Sequence, residues 1–328
     1  MSFILRRLVF YAIAAWVALT INFFIPRLIP GNAVQNVMAK FPNLQPSAYK
    51  ALEALLGVGH PGSIWHQYVT YLDDIFHFNF GTDVSQYPAQ VSSLLVQTLP
   101  WTITLVGVAT VIAFLIGTAL GIVAGWRHGG SLDRVLPGLM FLQAIPYFFF
   151  ALILVELLAI KTQVFPTGQG YSDGLIPGWH WDFIGSALYH SVLPALTIVL
   201  TSIAGWMLQM RNVMITTTGE DYVIAAQAKG LPNRRVIYTY AARNALLPQL
   251  QGFGLAVGFV VSGAIVMEIV FGYPGIGLLL LNAVTSKDYP LMQAIFLVIT
   301  FAVLLANLVV DMIIVVADPR ARRREATS

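Results

Sequence analysis

Charged positions along this chain come in clumps, and long apolar stretches separate them. No Asp, Glu, Lys or Arg occurs between Asp83 and Arg127, between Asp182 and Arg211, between Arg243 and Glu268, or between Asp288 and Asp311. A helix of about 20 mostly apolar residues is long enough to cross the roughly 30 Å of hydrocarbon in a bilayer. The pattern predicts six such helices, over 8–28, 99–126, 135–159, 188–210, 249–271 and 291–316. The stretches are too long and too continuous for the alternating segments of about ten residues that build an outer-membrane barrel.

The first stretch follows Arg6 and Arg7, as the apolar part of a signal peptide follows its charged start. It is long enough to span, however, and Pro26-Arg27-Leu28-Ile29-Pro30 is not a small-residue cleavage site, so residues 1–30 are read as an uncleaved first helix. Residues 31–97 are far longer than a membrane hairpin needs, and predict a cap region between helices 1 and 2. The rest divides into a core over 98–318, with a long polar loop at 211–248, and a basic tail at 319–328.

Composition agrees. Of 328 residues 57% are hydrophobic and 10% charged, against about 25% charged in a soluble domain. That excludes an ordinary soluble enzyme, a disordered chain and a disulfide scaffold. With no cysteine, a thiolate metal site and a cysteine nucleophile are excluded as well. The placement of basic residues sets orientation. With both termini cytoplasmic, 13 of the 18 Lys and Arg fall inside; the five outside are Arg27, Lys40, Lys50, Lys161 and Lys287. The opposite orientation inverts the bias. Loops 127–134 and 211–248 are then inside, and 31–97 and 160–187 outside.

The inner loop carries helix signals. Thr218 is a candidate N-cap with Asp221 three residues on. Glu220 and Asp221 suit the positive end of a helix and Lys229 its negative end. Gly230 fits the position after the helix, and Pro232 can open a second helix bearing Arg234, Arg235 and Arg243. Ala225 and Ala226 give the short helix a small-residue face that another backbone could approach. A docking knob and an amphipathic helix on anionic lipid both fit these features.

This loop resembles the EAA loop of binding-protein-dependent ABC transporter permeases, and in detail the dipeptide/oligopeptide/nickel branch. The shared residues are Tyr222-Val223, Ala226, Ala228-Lys229-Gly230-Leu231, Arg234-Arg235 and Arg243-Asn244-Ala245-Leu246-Leu247-Pro248. Ile224 stands where the general pattern has Glu, as suits the peptide branch. Further matches are Pro30-Gly31, Phe80-Gly81, Gly117, Gly121, Asp133, Ile145-Pro146, Glu268, Phe271, Pro274-Gly275-Ile276-Gly277, Asp288-Tyr289-Pro290, Asn307-Leu308, Asp311 and Asp318-Pro319-Arg320. Asn32-Ala33 departs from the family's Asp-Pro.

The resemblance implies an all-α integral membrane protein with six transmembrane helices and the type I ABC importer permease fold, in a prokaryotic cytoplasmic (inner) membrane. It implies a second homologous permease subunit, two cytoplasmic ATPase subunits that bind ATP and Mg, and an extracytoplasmic substrate-binding protein. Coupling to the ATPase falls to Glu220, Asp221, Tyr222, Ala225, Ala226, Lys229, Gly230, Leu231, Arg234 and Arg235, with Ala226 meeting the partner groove. Structural motif positions are Pro248, Glu268, Pro274, Gly275, Gly277, Asp311, Asp318, Pro319 and Arg320. The resemblance implies a di- or oligopeptide as substrate, with oligosaccharides and nickel as the branch's alternatives.

Other signals read as structural. Gly117, Gly121 and Gly125 make a small-residue face for packing against another span or a partner subunit. Glu156, Glu268 and Asp311 lie in or at the ends of spans, where a charge is costly. Pro146, Pro194 and Pro248 are kink positions. His60, His66, His77, His128, His180 and His190 lack zinc-ligand spacing. No Gly is followed directly by Lys, so there is no phosphate-binding Walker loop, and no hydrolase elbow or zinc-protease motif occurs. No catalytic residue, resident cofactor, metal or nucleic-acid partner is expected. A secondary transporter would place ionisable residues at the midplane of inverted repeats, and these are not visible.

Because the chain has no cysteine, orientation is open to a direct test. A cysteine at position 50 is expected to react with an impermeant thiol reagent in intact cells, and one at position 325 is not. Labelling at 325 alone contradicts the assignment.

Overall fold

In the computed structural model, which describes residues 3–28, 63–83, 88–258, 260 and 265–317, every regular element among the described residues is a helix. One isolated antiparallel bridge joins Thr82 and Gln90. In chain order the helices are α1 (Phe3–Leu28), α2 (Ile64–Phe76), α3 (Val91–Trp126), α4 (Ser131–Ala144), α5 (Tyr147–Leu154), α6 (Trp181–Thr218), α7 (Asp221–Ala228), α8 (Ala242–Gly258), α9 (Ile265–Phe271), α10 (Ile276–Ser286) and α11 (Tyr289–Ala317). π-Helical turns at Val155–Lys161 and Val236–Ala241 extend α5 and lead into α8. Among the described residues, four stretches long and apolar enough to cross a membrane lie within α1, α3, α6 and α11; counting the broken pairs α4–α5 and α9–α10 as one span each gives up to six.

The helices outrun the apolar pattern. α3 begins at Val91, eight residues before the expected span, so the end of the 31–97 stretch is helical. α6 extends past 188–210 at both ends. The third span is broken at Ile145-Pro146, where α4 and α5 meet at 98°. Proline removes a backbone donor and disfavours helical backbone in the residue before it, and Ile145 is accordingly extended. Pro194 and Pro248, by contrast, lie within continuous helices. The expected fifth span, 249–271, falls on parts of α8 and α9 and on intervening residues outside the description. Residues 31–62 and 84–87 of the cap stretch and the basic tail also lie outside the described residues, as do Asp318, Pro319 and Arg320.

The chain forms two compact units. The first comprises residues 1–102 and 274–304. Phe23 of α1 is fully buried there, with its ring 5.2 Å from Tyr68 and 5.4 Å from Tyr71 on α2. Asn22 donates to the Tyr71 hydroxyl at 3.1 Å and to the Gln293 carbonyl at 2.8 Å, tying α1 to α2 and α11. Burial pushes the Tyr71 phenol up to about 12. Arg27 stacks on Phe23 at 3.6 Å, beside a cavity of about 340 Å³ also lined by Tyr71, Asp74 and Gln293. The backbone N–H of Leu291 donates to Asp288 at 3.0 Å, capping α11, and that of Ile276 donates to Thr102 at 2.9 Å.

The second unit comprises residues 103–273 and 305–328. α6 is its centre, and α4, α5 and α8 pack against it. α3 lies on α6 through Gly117, Gly121 and Gly125. A Cβ at these three positions would lie 2.5 Å from the Trp206 Cβ, 2.6 Å from the Met207 carbonyl oxygen and 2.4 Å from the Met214 Cβ. The small-residue face thus packs on another span of the same chain. With lipid as solvent there is little hydrophobic drive for helices to associate, so close backbone approach supplies the dispersion contacts instead.

Gly121→Val is therefore expected to destabilise the protein by about 1–3 kcal/mol, the usual cost of overpacking. Thermal unfolding in detergent checks it. Gly107→Ala is the control, because a Cβ at Gly107 meets nothing within 4 Å, and equal melting of both variants would contradict the packing argument.

Candidate functional site

Gly219 ends α6, and Glu220, in extended conformation, opens α7. Thr218 is thus not the N-cap: it closes α6, and its hydroxyl donates back to the Ile215 carbonyl at 2.8 Å. Glu220 takes the position through its backbone, its carbonyl accepting from Val223 and Ile224 at 2.9 and 3.1 Å, without a side-chain cap. Asp221 lies in the first turn, where its charge faces the positive helix end.

The other end matches its sequence signal. Gly230 has φ +71°, a left-handed conformation that costs a residue with a side chain about 1–2 kcal/mol. Its N–H donates to the Gln227 carbonyl at 2.9 Å, and that of Leu231 to the Ala226 carbonyl at 3.4 Å. These two bonds form a Schellman motif, and Leu231 folds back onto the apolar cluster below. Pro232 then opens the turn Asn233–Arg235.

α7 is seated on its own chain. Val223 is fully buried and Ala226 is 3% exposed, three residues apart on one face. They join a cluster with Ile122 of α3, Met210 and Met214 of α6, Val236 and Ala241 of the π-helical turn, and Ala242 and Ala245 of α8. Ala226, expected to meet a partner, faces inward, and its small side chain lets α7 lie close to its own bundle. Glu220, Asp221, Tyr222, Ala225, Lys229, Gly230, Arg234 and Arg235 are exposed, and Leu231 is half-buried. Ile224 and Tyr238, at 50% and 55% exposure, add apolar area to the outer surface and were not expected there.

An ion pair braces the base of this assembly. Arg211 of α6 grips Asp133 at the start of α4 through two bonds, Nε to Oδ1 at 2.6 Å and Nη2 to Oδ2 at 3.1 Å. The N–H of Gly129 adds a third bond to Oδ2 at 2.7 Å. Planar two-point pairing fixes direction as well as distance. The turn after α3, the start of α4 and the last turns of α6 are thereby held together.

The motif positions away from this loop are spread along the chain. Pro248 is exposed on α8, Glu268 is fully buried in α9, Gly275 caps α10, Gly277 is buried, and Pro274 and Asp311 are half-buried. Among the described residues no group of three or more His, Asp or Glu is arranged to hold a metal ion.

Residues 117–323 match the family of binding-protein-dependent transport system inner membrane components. The chain belongs to this family. It is 31% identical to the dipeptide transport system permease protein DppB of Escherichia coli (strain K12), over 99% of this chain and 100% of that one. It is 29% identical to the oligopeptide transport system permease protein AppB of Bacillus subtilis (strain 168), over 97% and 98%. To the di/tripeptide transport system permease protein DppB of Pseudomonas aeruginosa (strain UCBPP-PA14) it is 31% identical, over 99% of both chains. The matched stretch of this inner membrane component takes in α7, its supporting cluster and the Arg211–Asp133 pair.

Substitutions separate the two faces of α7. Ala226→Arg forces charge into the cluster and is expected to lower the melting temperature well below that of Ala225→Arg. Gly230→Val is expected to cost about 1–2 kcal/mol through left-handed strain alone. Thermal unfolding of the purified chain reads all three, and equal melting of the two Ala variants would contradict the inward placement of Ala226.

Proposed function

We propose that this chain is the permease subunit of an ATP-driven importer of di- and oligopeptides, with α7 the surface on which an ATPase subunit docks. The observation that carries the substrate class is near full-length likeness to proteins named as dipeptide and oligopeptide permeases. The observation that carries the docking role is a short helix exposed on one face and clamped on the other by residues from four neighbouring elements. The finer architecture follows from the same reading: six spans of the type I importer fold in a bacterial inner membrane, with both termini cytoplasmic and a cap between the first two spans. The basic-residue asymmetry supports that orientation.

In this reading the chain does no chemistry of its own. ATP, bound and hydrolysed on two partner subunits, supplies the driving energy. A second homologous permease completes the pathway, and an extracytoplasmic binding protein delivers the peptide and sets much of the choice of substrate. This subunit's part is mechanical. Force on Tyr222, Ile224 and Ala225 passes through Val223 and Ala226 into Met210, Met214 and Ile122, and so to α6 and α3. Close-packed side chains transmit displacement because interiors compress little.

The test is Ala225→Arg in the complete transporter. It is expected to leave folding and insertion intact, to remove the ATPase subunits on co-purification, and to cut peptide uptake by roughly tenfold or more, as loss of a central interface contact does. Full uptake with intact complexes would overturn docking and favour a helix resting on anionic lipid.

A further inference from the structure

We propose that Gln143, Gln209 and the ring of Trp206 form part of the wall along which the transported peptide passes, side-chain amides meeting peptide-backbone amides. The proposal rests on the peptide-permease reading and adds the residues that touch the cargo.

Three glutamines from three helices converge on one short stretch of α6. Gln143, at the end of α4, lies across Gly205, where a Cβ would be 2.9 Å from its amide nitrogen. Gln209 lies over Gly252 of α8, where a Cβ would be 3.1 Å from the Gln209 nitrogen and 3.5 Å from the Trp206 ring. Positions 205 and 209 are four apart, so both amides lie on one helix face, a turn from each other. Gln249 of α8 donates to the Thr118 hydroxyl at 3.1 Å and to the Trp206 carbonyl at 3.0 Å. Its own amide oxygen is buried and has no hydrogen-bond partner among the described residues.

The amides of Gln143 and Gln209 likewise have no hydrogen-bond partner among the described residues. Gln143 is exposed and Gln209 half-buried. A primary amide in hydrocarbon without a partner is costly, and polar side chains within membrane helices face water-filled space or protein rather than lipid. Many outward positions on α6 and the neighbouring helices are the kind lipid tolerates: Leu152 and Ile153 on α5, Leu188 and Val192 on α6, Val123 on α3. The Gln143–Gln209 face departs from that pattern, beside the α4–α5 break at Ile145-Pro146 where the chain turns by 98°.

The chemistry suits a peptide in transit. A glutamine side chain donates and accepts at once, as a peptide group does, so it can replace the water that a backbone amide loses. Trp206 and Phe253, both half-buried, supply flat apolar surface, and the buried Phe114 ring backs them with centroids 5.3 Å from Trp206 and 4.4 Å from Phe253. Neutral groups select no charge on the cargo's side chains. The contacts serve any peptide sequence and hold none strongly, as a pathway requires.

The experiment uses single cysteines at 143, 209 and the outward-facing 153 in the complete transporter, in inside-out vesicles. A charged methanethiosulfonate reagent is the probe, and peptide uptake by the unsubstituted complex is measured in parallel in intact cells. The cysteines at 143 and 209 are expected to react at least about tenfold faster than that at 153, because a thiolate reacts only where water reaches it. Their rates are also expected to change when ATP and vanadate trap the transporter. Gln209→Leu is expected to slow uptake severalfold and Gln209→Asn to retain most of it. If the complex imports peptides but neither cysteine reacts faster than that at 153, the two amides are buried against another subunit and this assignment falls alone. If the complex imports no peptide, the peptide-permease reading falls first.

Discussion

Val223 and Ala226 bury one face of an eight-residue helix against Met210 and Met214, and the mechanical account depends on that burial. A helix so short has no independent stability in water. Its shape and direction come from the surface it covers and from the caps at its ends. Gly230 and Leu231 close one end and return the chain to the same cluster, while Glu220 starts the other directly after α6. α7 is therefore an extension of the bundle, and whatever binds its exposed face also holds α3, α6 and α8.

The bundle under α7 is stiff for two different reasons. Three glycines at four-residue spacing let the backbones of α3 and α6 approach until a methyl group would not fit between them. Close contact of this kind is worth most where lipid offers no hydrophobic gain for association. Nearer the end of α6, Arg211 donates two charge-assisted bonds to Asp133 of α4, with both side chains largely shielded from solvent. Dispersion fixes the distance between helices, and the ion pair fixes the rotation of α6 relative to the turn at 127–130.

Much of this could be read along the chain, and the limits were physical. Apolar length announced the spans, and Gly230 with Pro232 announced the end of α7, because positive φ and a missing N–H are local demands. The inward direction of Ala226 was not legible, since an alanine on a short helix serves equally well facing its own bundle or a partner. The same is true of the glycine triad, whose partner helix is a tertiary fact. Thr218 has the chemistry of an N-cap, but α6 runs on to use it, and no local signal separates those outcomes. Ile122, Met210 and Met214 looked like ordinary span residues, and only the fold joins them to Val223. A better clue was available in Val223 and Ala226 themselves, whose three-residue spacing marks one buried helix face.

The claim that α7 moves as one body with α3 can be measured inside the assembled transporter. Spin labels at Gln227, exposed on α7, and at Val123, exposed on α3, give one distance distribution without nucleotide and one with ATP and vanadate bound. The account predicts the same mean distance in both states, to within about 2 Å, because a close-packed cluster lies between the two helices. A shift of about 5 Å or more, on the scale of a one-turn slip between elements, would show α7 swinging free of the bundle and would contradict it.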